Sequence, residues 1–310
     1  MKSNNFKVSV VIPILNEEGN IDILIQKLIG VIEKYSDYEL LFINDGSTDK
    51  TLEIIQEKRR NNNKIHYLSF SRNFGHQNAL RAGLDYATGD CIISMDGDMQ
   101  HPPELIPKLI EKWQEGYDIV YTLRKDDPKT SFFKRKTASC FYWIMNKFSN
   151  VKIDKGAADF RLLDKNVVEV VKSIKENDLF MRGMVSWLGF KQYAIEYIPE
   201  ERHWGKTKYT LGKMIRLAIT GITSFSLKPL HISTMLGYII ATLAFLYGIY
   251  AIIIKLFTNN TISGWTSVLT VVLFIGGIQL IMIGILGEYI GKLFIEAKKR
   301  PNYIIKEKSL

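Results

Sequence analysis

The chain has 310 residues, of which 46% are hydrophobic and 24% charged, which is enough to bury one large core and support an appendage. Its net charge of +9 suits nucleic acid, an anionic membrane surface or a phosphorylated substrate, and composition does not choose among these three. The two cysteines, Cys91 and Cys140, have no metal or redox spacing, which argues against a disulfide framework and fits a reducing compartment.

Residues 1–200 alternate between strand and helix patterns. The strand patterns lie at residues 8–12, 39–43, 65–70 and 91–95. The helical patterns lie at residues 20–35, 51–60 and 77–87. The first apolar run ends at Pro13, and it is too short to be a signal peptide. Strands that alternate with helices predict a doubly wound, mostly parallel sheet.

Acidic residues follow two of the predicted strands. Asp45 comes after the second strand, and Asp96 and Asp98 come after the fourth. Ligands of such sheets bind outside the carboxyl ends of the strands, so these side chains are candidates for a site. Two carboxylates separated by one residue can both reach a Mg²⁺ ion, which takes one or two protein carboxylates together with phosphates and water. The spacing alone is a weak signal, because turns are rich in Asp and Gly.

Two stretches combine basic and apolar residues. Residues 211–225 place apolar side chains at helical spacing, which predicts a helix lying in a membrane surface. Residues 132–148 mix basic and aromatic side chains, and here a membrane-surface helix and a helix packed on the core are equally good interpretations.

Two uncharged segments follow, at residues 232–254 and 265–286. Each is long enough to cross a hydrocarbon core of about 30 Å, and buried core helices of this length without charge are unusual. Basic residues lie before the first segment and after the second, namely Lys228 before the first and Lys292, Lys298, Lys299 and Arg300 after the second. The positive-inside rule therefore predicts that both termini are cytoplasmic and that residues 255–264 form a short external loop.

Four motifs in order carry a resemblance to a known family. They are VIPILNEE at 11–18, NDGSTD at 44–49, SRNFG at 71–75 and MDGDMQHPPE at 95–104. Shorter matches follow at residues 158–163, 182–183, 187–190, 207–209 and 286–291. The chain resembles family 2 glycosyltransferases with a GT-A fold. It is closer to the dolichol-phosphate mannose synthase group, which includes bacterial polyprenyl-phosphate glucosyltransferases.

The resemblance implies a fold and a division of the chain. Residues 1–200 would form a Rossmann-like GT-A catalytic domain with a mostly parallel sheet. Residues 201–228 would form a juxtamembrane amphipathic segment, residues 229–291 two transmembrane helices, and residues 292–310 a basic cytoplasmic tail.

The resemblance also implies a donor site with a divalent cation, Mg²⁺ or Mn²⁺. Asp96 and Asp98 would hold the metal, with Gln100 beside both the metal and the acceptor phosphate. Asp96 would also approach the ribose. The other residues expected at the nucleotide-sugar donor are Pro13, Asn16 and Glu17 in the first strand-end loop, Asp45 at the base or ribose, and Arg202 and Lys208 at the diphosphate. Turn formation or helix capping by Glu17 and Asp45 is the competing interpretation.

Positions expected to hold the acceptor phosphate are Arg124, Arg135 and Ser139, where an arginine fork suits a phosphate. Asp159 matches the family's candidate base. A phosphate acceptor, with a second pKa of about 6, is already largely ionised and needs no base. Asp159 therefore has three open roles, which are general base, orientation of the acceptor and pairing with Arg161.

The implied function is inverting transfer of a hexose from a nucleotide-diphosphate sugar to polyprenyl (undecaprenyl) phosphate, at the cytoplasmic face of the cell membrane, for cell-envelope glycan modification. UDP-glucose is the expected donor, followed by UDP-N-acetylglucosamine and GDP-mannose. The expected partners are the donor, the lipid acceptor and the membrane, without nucleic acid. A homo-oligomer is left open.

Three alternatives fit the residues less well. A processive polysaccharide synthase would carry a Gln-x-x-Arg-Trp signature and more spans. A dinucleotide oxidoreductase would carry Gly-x-Gly-x-x-Gly after the first strand, which is absent. A catalytically silent membrane scaffold would not need the intact set of Asp96, Asp98, Gln100 and Arg202.

Overall fold

The computed structural model describes residues 5–125, 147–148, 154–176, 180–199, 221–223, 226–257 and 264–310. The chain divides into two compact units. The first comprises residues 1–147, 151–224 and 301–310, and the second comprises residues 148–150 and 225–300.

An eight-stranded mixed sheet organises the first unit, with the spatial order β7-β5-β6-β4-β1-β2-β3-β8. The strands are β1 (Lys7–Ile14), β2 (Asp37–Asn44), β3 (Ile65–Phe70), β4 (Cys91–Ser94), β5 (Ile119–Arg124), β6 (Ala157–Asp164), β7 (Gln192–Tyr197) and β8 (Ile305–Lys308). β4, β1, β2 and β3 run parallel, as the sequence predicts. β6 runs antiparallel to β4 and β5, and β8 runs antiparallel to β3. The carboxyl ends of four adjacent strands therefore meet at one edge.

Helices pack on this sheet. They are α1 (Ile21–Ile32), α2 (Thr51–Asn61), α3 (His76–Tyr86), a 3₁₀ turn (Pro103–Leu105), α4 (Ile106–Gln114), α5 (Lys165–Ser173) and α6 (Met181–Trp187). The core joins Val10 and Ile12 of β1 to Leu24 and Leu28 of α1, all with no exposed surface. Burying each of these side chains contributes about 1.5–3 kcal/mol.

β1 continues past Pro13 to Ile14, although the sequence predicts that the strand ends at Pro13. Pro13 is therefore buried within the strand and does not lie in the following loop. The reason is the pairing. The Val11 carbonyl points towards β4 and accepts a hydrogen bond from the Met95 amide. Backbone groups two residues apart in a strand face the same neighbour, so the backbone nitrogen of Pro13 also faces β4. The pairing with β4 stops at Val11, so the missing N–H of Pro13 breaks no ladder bond.

The C-terminal residues also differ from the expected basic tail at 292–310. The last long helix continues to Ala297, and residues 305–308 add strand β8 to the edge of the sheet beside β3. The chain therefore leaves the first unit, forms the second, and returns to complete the sheet of the first.

The second unit is a pair of long helices, α7 (Lys228–Phe257) and α8 (Trp265–Ala297). Segments Lys228–Tyr250 and Thr270–Ala297 have mean hydropathies of 1.8 and 2.3 and are long enough to span a membrane. Large apolar side chains such as Leu243, Phe245 and Leu280 are more than half exposed. Such an apolar surface indicates association with a membrane.

Candidate active site

The loops after β1 and β2 are joined by hydrogen bonds that backbone amides donate to side-chain oxygens. The Asn16 side-chain oxygen accepts from the Thr48 amide at 2.8 Å, and the Asn16 amide donates to Ser47 Oγ at 3.0 Å. Asn16 adopts φ 55°, a left-handed conformation that asparagine tolerates better than most residues. The Glu17 amide donates to Thr51 Oγ1, and its carboxylate accepts from the Asn20 side chain at 2.7 Å. Asn16 and Glu17 thus shape this loop pair.

Asp45 is buried and holds the loop between β3 and α3. Its carboxylate accepts hydrogen bonds from the Phe74 amide at 2.7 Å and the Gly75 amide at 3.0 Å. Burial raises the pKa of Asp45, and the two amides oppose that rise. Gly46 lies directly against this loop, because an added Cβ would come within 2.6 Å of the Arg72 carbonyl carbon. Asp45 therefore holds residues 71–75 in place through these hydrogen bonds. Its contact with a base or ribose stays a prediction.

The loop after β4 carries the paired carboxylates. Gly97 packs against β1, since a Cβ there would lie 2.7 Å from Ile14 Cγ2. Asp98 is buried, and its Oδ1 accepts from the Gln100 amide at 3.1 Å. Asp96 keeps one third of its side chain exposed, yet its Oδ1 is a buried atom that receives no hydrogen bond from the residues that the structure describes. The same oxygen lies 3.4 Å from His76 Nε2, so a ligand bound at Asp96 would lie beside that histidine.

Asp96 and Asp98 stay the predicted pair of ligands for a divalent cation. Among the residues that the structure describes, no group of three His, Cys, Asp or Glu side chains is arranged to hold a metal ion. A pair is sufficient for Mg²⁺ or Mn²⁺ when phosphate oxygens and water complete the shell. The side-chain oxygen of Gln100 is directed elsewhere, as it accepts a hydrogen bond from Arg124 Nη2 at 3.2 Å.

His101 packs in the core beside Asp96. Its ring is buried, stacks on Phe160 at 5.3 Å and accepts from the Asp96 amide. Burial lowers the pKa of His101, so the ring is neutral near pH 7.

Asp159 lies on β6 at the centre of a charge cluster. It is 3% exposed and receives two hydrogen bonds from Arg182, at 3.0 and 2.8 Å, and one from Arg161 at 3.2 Å. Burial alone would raise the pKa of Asp159. The charge of Arg182, hydrogen bonds from His76 and Arg182, and the charge of Arg161 outweigh it and hold the pKa well below its usual range. The geometry confirms the pairing with Arg161 and adds Arg182.

His76 lies close to the carboxylates of both Asp96 and Asp159, and the sequence alone assigned it no role. Its Nε2 lies 3.4 Å from Asp96 Oδ1 and 3.6 Å from Asp159 Oδ2. Burial would lower the pKa of His76, but the charge of Asp96 and the hydrogen bond and charge of Asp159 raise it to about 9. The one signal available in the sequence is its position directly after the motif at 71–75, at the first residue of α3.

Arg124 ends β5 with its side chain exposed beside Gln100, and its Nε lies 3.5 Å from the Tyr197 hydroxyl. The structure thus brings a predicted acceptor-phosphate residue next to a predicted metal-side residue. The remaining predicted positions lie outside the described residues, namely Arg135, Ser139, Arg202 and Lys208. Most of the stretches at 132–148 and 211–225 lie outside them as well.

Comparison with known proteins identifies the two parts of the chain. Residues 9–171 match a family described as glycosyl transferase family 2, and residues 228–293 match one described as the GtrB C-terminal hairpin. The prophage bactoprenol glucosyl transferase homolog of Escherichia coli K12 is 48% identical, over 97% of this chain and 98% of its own. The bactoprenol glucosyl transferase of Shigella phage SfX is 45% identical, over 97% of this chain and 99% of its own.

Among solved structures, a mannosyltransferase from Pyrobaculum calidifontis in complex with GDP-Man and Mn²⁺ has a TM-score of 0.51 at 14% identity. The match covers 71% of this chain and 62% of that protein. At this identity the likeness concerns the GT-A fold alone.

Proposed function

The chain belongs to glycosyl transferase family 2 and is a glycosyltransferase, and from this premise we propose that it transfers glucose from UDP-glucose to a polyprenyl phosphate with inversion. The observation that carries the proposal is the 45–48% identity to bactoprenol glucosyl transferases along almost the whole chain, helix hairpin included. A likeness confined to the sheet would support only sugar transfer.

In this reaction an oxygen of the acceptor phosphate forms a bond to the anomeric carbon of the sugar. The bond from that carbon to the diphosphate breaks on the opposite face, and its electron pair leaves with UDP. Asp96 and Asp98 would hold a divalent cation, which when bound neutralises charge on the leaving diphosphate. The loops after β1, β2 and β3 would receive the nucleoside, as expected for the carboxyl ends of parallel strands.

On the acceptor side, the exposed guanidinium of Arg124 is suited to a phosphate, because its fork donates two hydrogen bonds. Gln100 Oε1 accepts a hydrogen bond from that guanidinium at 3.2 Å. Arg135 and Ser139 would complete the phosphate site, and Arg202 and Lys208 would contact the donor diphosphate.

We assign Asp159 an orienting role. A carboxylate whose pKa is held well below its usual range is a poor proton acceptor near neutral pH. A phosphate acceptor with a second pKa of about 6 has no proton that must be removed. Asp159 instead fixes Arg182 and His76 at the edge of the site.

The donor is tested by a screen of radiolabelled nucleotide sugars against undecaprenyl phosphate. We expect UDP-glucose to give the highest kcat/KM, with UDP-N-acetylglucosamine second and GDP-mannose third. A clear preference for GDP-mannose would overturn the donor assignment and leave the reaction class intact.

We place the first unit and both termini in the cytoplasm. The return of residues 305–308 to the sheet of the first unit supports this arrangement, because both ends of the chain then lie on the same side of any membrane that the hairpin crosses. The flanking lysines and arginine set the direction. In a variant with Cys140→Ser and Ser263→Cys, a membrane-impermeant thiol reagent added outside intact cells should label the introduced cysteine. Labelling only from the cytoplasmic side would refute the topology.

A further inference from the structure

The last ten residues of the chain contact the loop that Asp45 holds. β8 pairs antiparallel with β3, and a register shift between Ser69 and Phe70 sets Phe70 opposite Ile305. One residue further, the Ser71 amide donates to the Ile304 carbonyl at 3.0 Å. The C-terminal segment thus fixes the first residue of the loop at 71–75.

Tyr303 reaches the elements on both sides of that loop. Its ring stacks on Phe70, the last residue of β3, with centroids 5.2 Å apart and planes 13° apart. Its hydroxyl donates to Asp85 Oδ2 of α3 at 2.8 Å. Because β3 precedes the loop and α3 follows it, Tyr303 restrains the distance that the loop must bridge.

The loop transmits this restraint to Asp45 through a row of aromatic contacts. The Phe74 ring meets Phe70 edge to face at 5.7 Å, and the Arg72 guanidinium lies 4.0 Å from the Phe74 ring centroid. The Phe74 amide in turn donates the shortest of the hydrogen bonds to the Asp45 carboxylate, at 2.7 Å. The same Phe70 ring is therefore in contact with Tyr303 on one side and with the residue that orients Asp45 on the other.

We propose that residues 301–310, and Tyr303 above all, position the donor-binding loop, so that a segment that follows the membrane hairpin in sequence sets the affinity for the nucleotide. The inference rests on the proposed function in one respect, the placement of the nucleoside at the loops after β2 and β3. Tyr303 is a positioning residue, since it acts through Phe70 and Phe74.

A matched control exists on the same strand. The Glu307 carboxylate accepts hydrogen bonds from the Tyr67 hydroxyl and from Gln56 Nε2, away from the loop. Glu307→Gln weakens the attachment of β8 to the sheet without touching Phe70 or Asp85. It therefore separates a general loss of stability from a loss of loop position.

The test compares Tyr303→Ala, Tyr303→Phe and Glu307→Gln in the full-length protein in phospholipid vesicles. We expect Tyr303→Ala to raise KM for UDP-glucose about tenfold with kcat changed less than about twofold, as for lost ground-state binding. Tyr303→Phe keeps the stack and loses the bond to Asp85, so it should fall between Tyr303→Ala and the wild type. Glu307→Gln should leave KM within about twofold of wild type. Equal KM values for Tyr303→Ala and Glu307→Gln would overturn the inference.

Hydrogen exchange makes the result independent of the proposed function. The amides of Phe74 and Gly75 should exchange about tenfold faster in Tyr303→Ala than in Glu307→Gln, without any substrate. If the wild type transfers no sugar from UDP-glucose, the proposed function fails and this exchange comparison still decides the role of Tyr303. Equal exchange rates in the two variants would contradict it.

Discussion

The β1–β3 side of the site and its β4–β6 side are held in different ways. On the β1–β3 side, Asn16 and Asp45 bind backbone amides of neighbouring loops, so side chains there fix loop shape. On the β4–β6 side, Asp159 binds two guanidinium groups and approaches a histidine. A lost amide bond lets a loop shift by a small amount, whereas a lost carboxylate leaves buried charge uncompensated. Substitutions on the β4–β6 side should therefore have the larger effects.

The largest effect is expected for Asp98→Ala. Removing the proposed metal ligand beside the leaving diphosphate should lower kcat by about 10³-fold, the scale of a lost electrostatic contact to the transition state. The measurement is transfer at saturating Mg²⁺ and Mn²⁺, with circular dichroism to verify the fold. Activity near that of the wild type would remove Asp98 from the site.

Asp159→Asn should come next. The change leaves Arg182 and Arg161 without their anion, which should cost about 3–5 kcal/mol of stability. Displacement of the groups that Asp159 orients should lower kcat about 10²-fold. Thermal unfolding and transfer assays measure both losses. If Asp159 were instead an essential base, raising the pH would restore activity to the variant in proportion to hydroxide, whereas the orienting role predicts no such recovery.

Glu39 is a second buried carboxylate, near the start of β2 and away from the site, and it serves as a control for Asp159. This buried carboxylate accepts from Ser9 Oγ and the Thr88 amide and pairs with Lys7 Nζ at 2.8 Å. Burial alone would raise the pKa of Glu39, but bonds from Lys7, Ser9 and Thr88 lower it overall. Its stabilising contribution is therefore present above the unfolded pKa of about 4.3 and is lost as the pH falls through the lower folded pKa.

Glu39→Gln should accordingly lower the free energy of unfolding by about 2 kcal/mol at pH 7, with the difference from wild type shrinking as the pH falls below the unfolded pKa of about 4.3. Chemical denaturation at several pH values measures this. Transfer activity should stay within about twofold of wild type. A loss of activity equal to that of Asp159→Asn would mean that any buried carboxylate, wherever it lies, limits catalysis.

Arg124→Ala tests the acceptor with a smaller effect. The loss of a charged hydrogen-bond donor to phosphate, worth about 1.5–3 kcal/mol, should raise KM for undecaprenyl phosphate at least about tenfold. KM for UDP-glucose should not change. Lys125→Ala removes the same charge one residue along, where the partner is the exposed Glu196, and should leave both KM values unaltered. Equal effects from the two variants would indicate general attraction to an anionic surface.

Among the substitutions in the site, Asn16→Ala should have the smallest effect, and it should act through loop shape. Alanine at φ 55° and the lost bond to the Thr48 amide together cost about 2 kcal/mol, and KM for UDP-glucose should rise about threefold. Asn16→Asp keeps an oxygen for that amide, and Asn16→Gly keeps the conformation without the oxygen. Steady-state kinetics on the three variants separates strain from hydrogen bonding. A change in KM for the lipid instead of the donor would contradict the assignment of this side.

The contrast between the β1–β3 side and the β4–β6 side also separates the features that the sequence predicts from those that it does not. β1 to β4, their helices and the acidic loops follow from short-range patterns, because each strand is apolar and each loop follows directly. Asp159 and Asp96 come from separate motifs, and only the antiparallel pairing of β6 with β4 brings them to one place. The bond from Arg182 to Asp159 and the approach of His76 to both carboxylates depend on that pairing, which short-range patterns do not predict.

β8 shows the limit most clearly. Its sequence, IKEK, is short and mostly charged, which favours a solvated tail over a strand. It becomes a strand because β3 offers an unpaired edge more than 200 residues earlier in the chain. Charged residues on an edge strand also prevent further pairing, which suits its position at the end of the sheet. Patterns read within a short window cannot detect such a pairing.

The central claim is that the acceptor is a polyprenyl phosphate, and reconstitution tests it most directly. Purified full-length protein in phospholipid vesicles, with radiolabelled UDP-glucose and Mg²⁺, should incorporate label into undecaprenyl phosphate and not into undecaprenol or a soluble sugar alcohol. The product should be a lipid-linked glucose whose anomeric configuration is opposite to that of the donor. Faster labelling of the sugar alcohol than of any prenyl phosphate would contradict the account.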